Sequence, residues 1–426
     1  MSDDRVFLRC MWRLVPFMMV LYLVNYIDRV NVGFAALTMN RDLGFSATIY
    51  GFGAGIFFFS YALCQIPANV IIERVGARRG IGAILLIWGA ISAANAFVWD
   101  AWSFYVLRFS LGIAEAGFFP GMIFYLTLWF PKAYLARCIG MFQCSNPLAF
   151  VVGGPLSGLI LGMDGTGGLH GWQWLFLLEG VPACLLAIAV FYFLPNAPHE
   201  ARWLDKEEQT TIESRLNIEG ATAHRDIGAA FKDWRVFALG LAGGGIIFCL
   251  SGLQFFAPQI VQGMGFSNLA VGFMVALPFV LATAGMNLWC YLSDVKGERA
   301  WHFAFAALFT AMGLVAASVV SSNTVIFVGL SMAIIGVFAA LPVLNSLPPS
   351  FLRGPAAAGG IALFNTIAQF GAFSGSLVMG YLKDETGGYS AGLLALALAM
   401  VMAAVIVLAL NRALAPHAVI AKAGNA

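Results

Sequence analysis

Twelve times along this chain a stretch of about twenty or more mostly apolar residues runs between turn signals, and a segment of that length and character has one stable form, an α-helix that crosses a bilayer. The spacing predicts spans at 14–38, 47–72, 80–98, 102–130, 137–161, 172–194, 236–261, 267–292, 301–320, 324–346, 357–382 and 391–411. Composition agrees: 61% of the 426 residues are hydrophobic, 10% are charged, and the mean hydropathy is +0.85. A water-soluble domain of this length does not reach such values. The fold class is an all-α membrane protein. A net charge of +2 with basic residues scattered in short loops gives no footing for nucleic acid. The seven cysteines form neither a CxxC pair nor Cys/His metal spacing, so neither a disulfide frame nor a metal site is expected.

Between the sixth and seventh spans lies a polar stretch, 195–235, which divides the chain into six-helix halves at 1–194 and 236–426. Asp205-Lys206-Glu207-Glu208, with Trp203, Ile212 and Leu216 at helical spacing, makes this linker a short amphipathic helix. Of the 23 Lys and Arg, Arg41 and Lys383 fall on one side, Arg29 and Arg108 lie inside spans, and the remaining nineteen fall on the other side. That asymmetry places both termini and the linker in the cytoplasm, with the first helix serving as its own insertion signal. Two turns repeat between the halves: Glu73-Arg74-Val75-Gly76-Ala77-Arg78-Arg79 after the second span, and Ser293-Asp294-Val295-Lys296-Gly297-Glu298-Arg299 after the eighth. Each sets an acid at a helix end before basic residues, which suits a latch that forms in one conformation and breaks in another.

The charges inside the spans carry the functional argument. Asp28 and Arg29 lie in the first span, Arg108 and Glu115 in the fourth. Each costs roughly 2.5 to 3.5 kcal/mol at a helix centre when unpaired, so all four have to be paired or hydrated. Tyr22, Asn25, Tyr26 and Arg29 fall at i, i+3, i+4 and i+7, one polar stripe that is expected to line a wet cavity. A planar guanidinium suits a carboxylate held bidentately. Arg108, Gly112 and Glu115 share a face, with Gly117 and Gly121 allowing close helix approach. Glu179 is placed near the end of the sixth span, which leaves Asp28 and Glu115 as the candidates for carrying protons. Trp172 to Phe176 read as an interfacial aromatic belt beside a solvated His170, and Pro258, Pro278, Pro342 and Pro348 offer bends for gating.

The first turn resembles the loop 2–3 signature of the major facilitator superfamily, G-x3-[DE]-R-x-G-x-R-[RK], with Asn69 in place of its first glycine. Tyr26-Ile27-Asp28-Arg29-Val30-Asn31-Val32-Gly33, Arg108 to Glu115, Trp129-Phe130-Pro131, Gly154-Pro155-Leu156-Ser157-Gly158 and Ser293-Asp294 with Glu298-Arg299 and His302 together resemble its anion:cation symporter family, whose bacterial members carry sugar acids, tartrate, phthalate, hydroxyphenylacetate and nicotinate. The resemblance implies twelve helices in two pseudo-symmetric bundles, with one central site and alternating access. It implies that Asp28 pairs with Arg108 while Glu115 lies near Arg29, and that Asp28, Glu115 and Arg108 couple protons. By position it adds Tyr61, Asn146 and Asn365 to Arg29 and Tyr26 as substrate contacts, although Asn146 stands where some sugar-acid carriers have Gln. Glu73, Arg74, Gly76, Arg78, Asp294 and Arg299 become the gating latch.

The expected function is therefore proton-coupled uptake of a small organic carboxylate, an aromatic or a hydroxy or sugar acid, across a bacterial inner membrane. The expected carrier is a monomer with no cofactor beyond the coupling proton. Proton-independent anion exchange and a membrane nutrient sensor are the alternatives. An enzyme would need a nucleophile and base or a metal cluster at depth, and the five histidines are not so placed.

Overall fold

The computed structural model describes residues 3–220, 233–347 and 355–423; Pro348 and the 221–232 part of the linker lie outside the described residues. Helices follow one another as α1 (Asp3–Asp42), α2 (Ala47–Val75), α3 (Ala77–Ala94), α4 (Ala101–Glu115), α5 (Phe118–Thr127), α6 (Lys132–Gln143), α7 (Ser145–Leu161), α8 (Gly171–Phe193), α9 (Lys206–Gly220), α10 (Trp234–Gln262), α11 (Asn268–Lys296), α12 (Arg299–Val319), α13 (Asn323–Asn345), α14 (Pro355–Thr386) and α15 (Ser390–Ala423). Among the described residues eleven helical segments are long and apolar enough to cross a membrane, and α14 has 32 residues. The sequence periodicity located these helices because lipid leaves the backbone no other partners than its own.

Two spans expected to be continuous are broken. The fourth divides into α4 and α5 at Ala116-Gly117, and the fifth into α6 and α7 at Cys144. Pro120 and Pro147 each stand as the third residue of the new helix, where a residue would otherwise send its N–H back to the carbonyl four residues earlier. Without that bond the chain turns, and Glu115 becomes the last residue of α4 and Asn146 the second of α7.

The chain forms two compact units, one of 1–43, 59–223 and 268–273, the other of 44–58, 224–267 and 274–426. In the first unit α3 and α8 meet backbone to backbone: a Cβ on Gly180 would lie 2.6 Å from the Ala93 nitrogen and 2.9 Å from the Gly89 oxygen. Gly154 and Gly158 of α7 meet the start of α11 as closely, at Gly272 and Asn268. The linker packs onto this unit. Glu208 is buried and accepts two hydrogen bonds from Arg9 Nη1 at 2.9 and 3.2 Å. Trp203 stacks on Trp129, with the Arg13 guanidinium 5.1 Å from its ring centre. Trp172 and Phe176 are buried in the first unit, so they do not face outward as the expected belt requires, whereas Trp174 is half-buried. The aromatic side chains left outside include Trp99, Trp102, Tyr192 and Phe193. His170 is exposed as expected, and its N–H donates to Gln173 Oε1 at 2.8 Å where α8 begins.

In the second unit the same small-residue packing joins α10 to α14, at Gly244 with Gly371, and α12 to α13, at Gly313 with Gly329. The first turn of α2 belongs here: Asp384 of α14 accepts the Ala47 and Thr48 N–H groups at 3.0 and 2.7 Å and the Thr48 hydroxyl at 2.6 Å. Apolar side chains such as Leu241, Phe273, Leu288, Phe305 and Met402 point outward, the reverse of a soluble protein and the expected state against lipid.

A side chain at Gly313 would meet Gly329 O at 2.5 Å and Met332 Cβ at 2.8 Å. Gly313→Val should therefore destabilise the protein by about 1 to 3 kcal/mol through overpacking. Gly140, which has open space around its Cβ position, should accept Ala without loss. Thermal unfolding of both variants in detergent checks the contrast.

Candidate functional site

Successive residues of a helix project about 100° apart. Asp28 and Arg29, adjacent in sequence, therefore leave α1 toward different neighbours. Arg29 turns to α4, where its Nε donates to Glu115 Oε1 at 2.5 Å and its Nη2 approaches the same oxygen. Asn25, one turn earlier on α1, donates Nδ2 to that oxygen at 2.6 Å. Three donor groups thus converge on Oε1, while Oε2 is buried and accepts no hydrogen bond. The guanidinium carbon of Arg29 lies 5.2 Å from the Tyr26 ring centre and 5.1 Å from that of Tyr61, a cation between two aromatic rings. Glu115 is fully buried, whereas the Arg29 side chain keeps 11% of its surface accessible.

Asp28 turns to α3. Trp88 Nε1 donates to its Oδ2 at 2.7 Å, the Ser92 hydroxyl donates to Oδ1, and Asn31 Nδ2 reaches Oδ1 at 3.2 Å. Trp88 and Ser92 stand at i and i+4 on α3, so both point at one carboxylate. Arg108, buried on α4, lies close enough to act electrostatically on Asp28. The α4 face carrying Arg108 and Glu115 thus serves both the acid Asp28 and the cation Arg29 of α1.

The polar stripe of α1 is more enclosed than a wet wall. Asn25 and Tyr22 are buried, Tyr22 against Tyr26, Phe119 and Phe142, and of the four residues Tyr26 and Arg29 retain partial exposure. Tyr61 is buried. Asn146 is half-buried at the α6/α7 break, and its Oδ1 is a buried acceptor without a hydrogen bond. The neighbouring Ser145 hydroxyl bonds Met19 O at 3.0 Å and ties α7 to α1. Asn365, on α14 of the second unit, is exposed.

The two repeated turns share a backbone device, a glycine at positive φ: +92° at Gly76 and +65° at Gly297. Other residues adopt such angles rarely. Around Gly76, Arg78 donates to Phe191 O and lies 3.9 Å from Glu200. The Asn196 N–H donates to Glu200 and holds that carboxyl below the usual range. Glu73 and Arg74 are exposed, and among the described residues neither side chain has a hydrogen bond or ion pair. Around Gly297, Arg299 donates to Ser346 O at 2.9 Å and stays 3.9 Å from Asp294.

The residue that sequence reasoning missed is Glu179. It is 4% exposed, accepts the Ser157 hydroxyl at 3.2 Å, and faces Asp28. Its expected place near a helix end is corrected: it is as deeply buried as Asp28. The available signal was Ser157, the polar residue inside the Gly154-Pro155-Leu156-Ser157-Gly158 motif.

Loss of a neutral donor to a buried charged acceptor costs about 1.5 to 3 kcal/mol. Trp88→Phe should lower stability by that order. In the Asp28→Asn background the same change should cost less, because the charge it served is gone. Unfolding of the four proteins in one detergent measures the difference.

Comparison with known proteins sets this geometry among its relatives. Residues 18–376 match the Major Facilitator Superfamily. A protein of Agrobacterium vitis named "Putative tartrate transporter" is 44% identical over 99% of this chain and 95% of its own length. The "Putative metabolite transport protein NicT" of Pseudomonas putida is 40% identical over 94% of this chain and 93% of its own. Among solved structures, a bacterial homologue of the human lysosomal transporter Spinster superimposes with a TM-score of 0.76 at 18% identity, over 94% of this chain and 96% of that one. Multi-span helices, charges paired inside the bilayer and these relatives lead to one assignment: the chain belongs to the Major Facilitator Superfamily, and is a membrane transporter and not an enzyme.

Proposed function

We propose that this transporter takes up a small organic carboxylate together with one or more protons by alternating access, across a bacterial inner membrane with both termini in the cytoplasm. The observation that carries the reading is the Arg29 guanidinium, partly accessible between two tyrosine rings and held by a single carboxylate oxygen of Glu115. A substrate carboxylate can replace Glu115 on Arg29 as a charge-assisted bidentate pair. Glu115, deprived of its cation inside an apolar bundle, then takes a proton, and anion and proton cross together. Asp28, with three neutral donors and Arg108, keeps its charge and holds the geometry.

The relatives named for tartrate favour a hydroxy acid among carboxylates. Tyr26 and Tyr61 beside Arg29, with Asn146 of the same unit, supply hydrogen-bonding groups suited to its hydroxyls. In this reading residues 1–194 and 236–426 are the moving halves and 195–235 joins them, while the turns with Glu73, Arg74, Gly76, Arg78, Asp294 and Arg299 serve as gates.

A thermal-shift series of carboxylates identifies the ligand, since one present at 100 times its Kd adds about 2.7 kcal/mol. Arg29→Lys should fold normally and bind that ligand at least tenfold more weakly, because the charge remains but the fork is lost; unchanged affinity would sink the assignment. In proteoliposomes, Glu115→Gln should still exchange labelled for unlabelled anion but fail to accumulate it under an imposed pH gradient. Normal gradient-driven accumulation by that variant removes Glu115 from coupling.

A further inference from the structure

Glu179 is a buried acid that the carrier mechanism above does not use. It lies on α8, whose next residue, Gly180, is packed against the backbone of Gly89 and Ala93, so water has no layer between α8 and α3 at this level. Its Oε1 accepts one neutral donor, Ser157 Oγ of α7. Its Oε2 is buried without a hydrogen bond. The charged group that acts on it is another acid, Asp28 of α1, and Asn31 stands between the two: the amide bonds Asp28 Oδ1 at 3.2 Å and lies against Glu179. From α3, Trp88 and Ser92 are committed to Asp28; from α4, Arg108 acts on Asp28.

The two carboxyls are therefore unequal. Asp28 has three donors and a nearby guanidinium to support a negative charge, whereas Glu179 has the Ser157 hydroxyl, a share of the Asn31 amide and a neighbouring anion. Two acids sharing a buried site do not both ionise, and the one with fewer donors keeps the proton. The charge count agrees. Three carboxyls, Asp28, Glu115 and Glu179, stand with two guanidinium groups, Arg29 and Arg108, in this part of the first unit, and one proton balances them.

We propose that Glu179 is a proton-binding carboxyl distinct from Glu115, coupled to Asp28 through Asn31, so that the Asp28 and Glu179 pair holds a single proton on Glu179. The proton on Glu179 is argued from its burial, its single hydroxyl donor Ser157 and its unpartnered Oε2; a part for it in transport rests on the proton-coupled reading of the previous section.

Infrared spectroscopy of the purified full-length protein tests it. The parent should show a protonated-carboxyl C=O band at neutral pH that Glu179→Gln abolishes. Ser157→Ala, which keeps the acid but removes the hydrogen bond to its carbonyl, should move that band to higher frequency. Asp28→Asn removes the repelling anion and frees Arg108, so the band should be lost at lower pH than in the parent. A spectrum unchanged in Glu179→Gln and Ser157→Ala overturns the proton on Glu179, and an unmoved titration in Asp28→Asn overturns the coupling. Gradient-driven uptake by parent vesicles reports separately on transport: its failure defeats proton symport and leaves the infrared result standing, whereas a missing band defeats this proposal even in a carrier that is proton-coupled.

Discussion

An ion pair inside an apolar bundle, Arg29 with Glu115, is the interaction on which the first unit depends. Neither charge has a tolerable place without the other, because lipid offers no solvation and the neighbouring helices offer few polar groups. The pair fixes the rotation of α1 against α4. Once that rotation is set, Asp28 must leave α1 toward α3, where Trp88 and Ser92 receive it. Two adjacent residues thus hold three helices in register. The same pair is the part of the site best able to change, since all three donors to Glu115 meet on one oxygen and leave the other without a hydrogen bond.

Where the helices carry no charge, small residues decide how closely they pack. Gly89 with Gly180, Gly244 with Gly371 and Gly313 with Gly329 bring backbones to distances that a Cβ forbids. In lipid the apolar side chains gain little by turning inward, so dispersion between close backbones and a few hydrogen bonds do the work that burial does in water. Bulky residues are left for the outer faces, as seen at Leu241, Phe305 and Met402. The linker adheres by other means, through the buried Glu208 with Arg9 and the stacking of Trp203 on Trp129. These contacts make residues 195–220 part of the first unit's surface.

The helices, their number and approximate limits were legible in the sequence because a bilayer accepts one backbone form over a nearly fixed length. Four of the charged residues at depth, Asp28, Arg29, Arg108 and Glu115, were equally legible, since so few interrupt the apolar runs, and they pointed to α1 with α4. The breaks at Ala116-Gly117 and Cys144 interrupt spans read as continuous, although Pro120 and Pro147, whose missing N–H groups fall just after them, carried the signal. What hydropathy does not report is rotation. When a helix is apolar all round, its pattern does not say which side meets protein, and so Trp172 was assigned to an outer belt and Glu179 to a helix end although both face inward. Sequence by itself determined that Asp28, Arg29, Arg108 and Glu115 bear the cost of charge in lipid. Only the tertiary structure decided which partners settle it, because partnership depends on the rotation and approach of helices distant in the chain: Glu115 for Arg29, Trp88 and Ser92 for Asp28, and for Glu179 a single serine beside another acid.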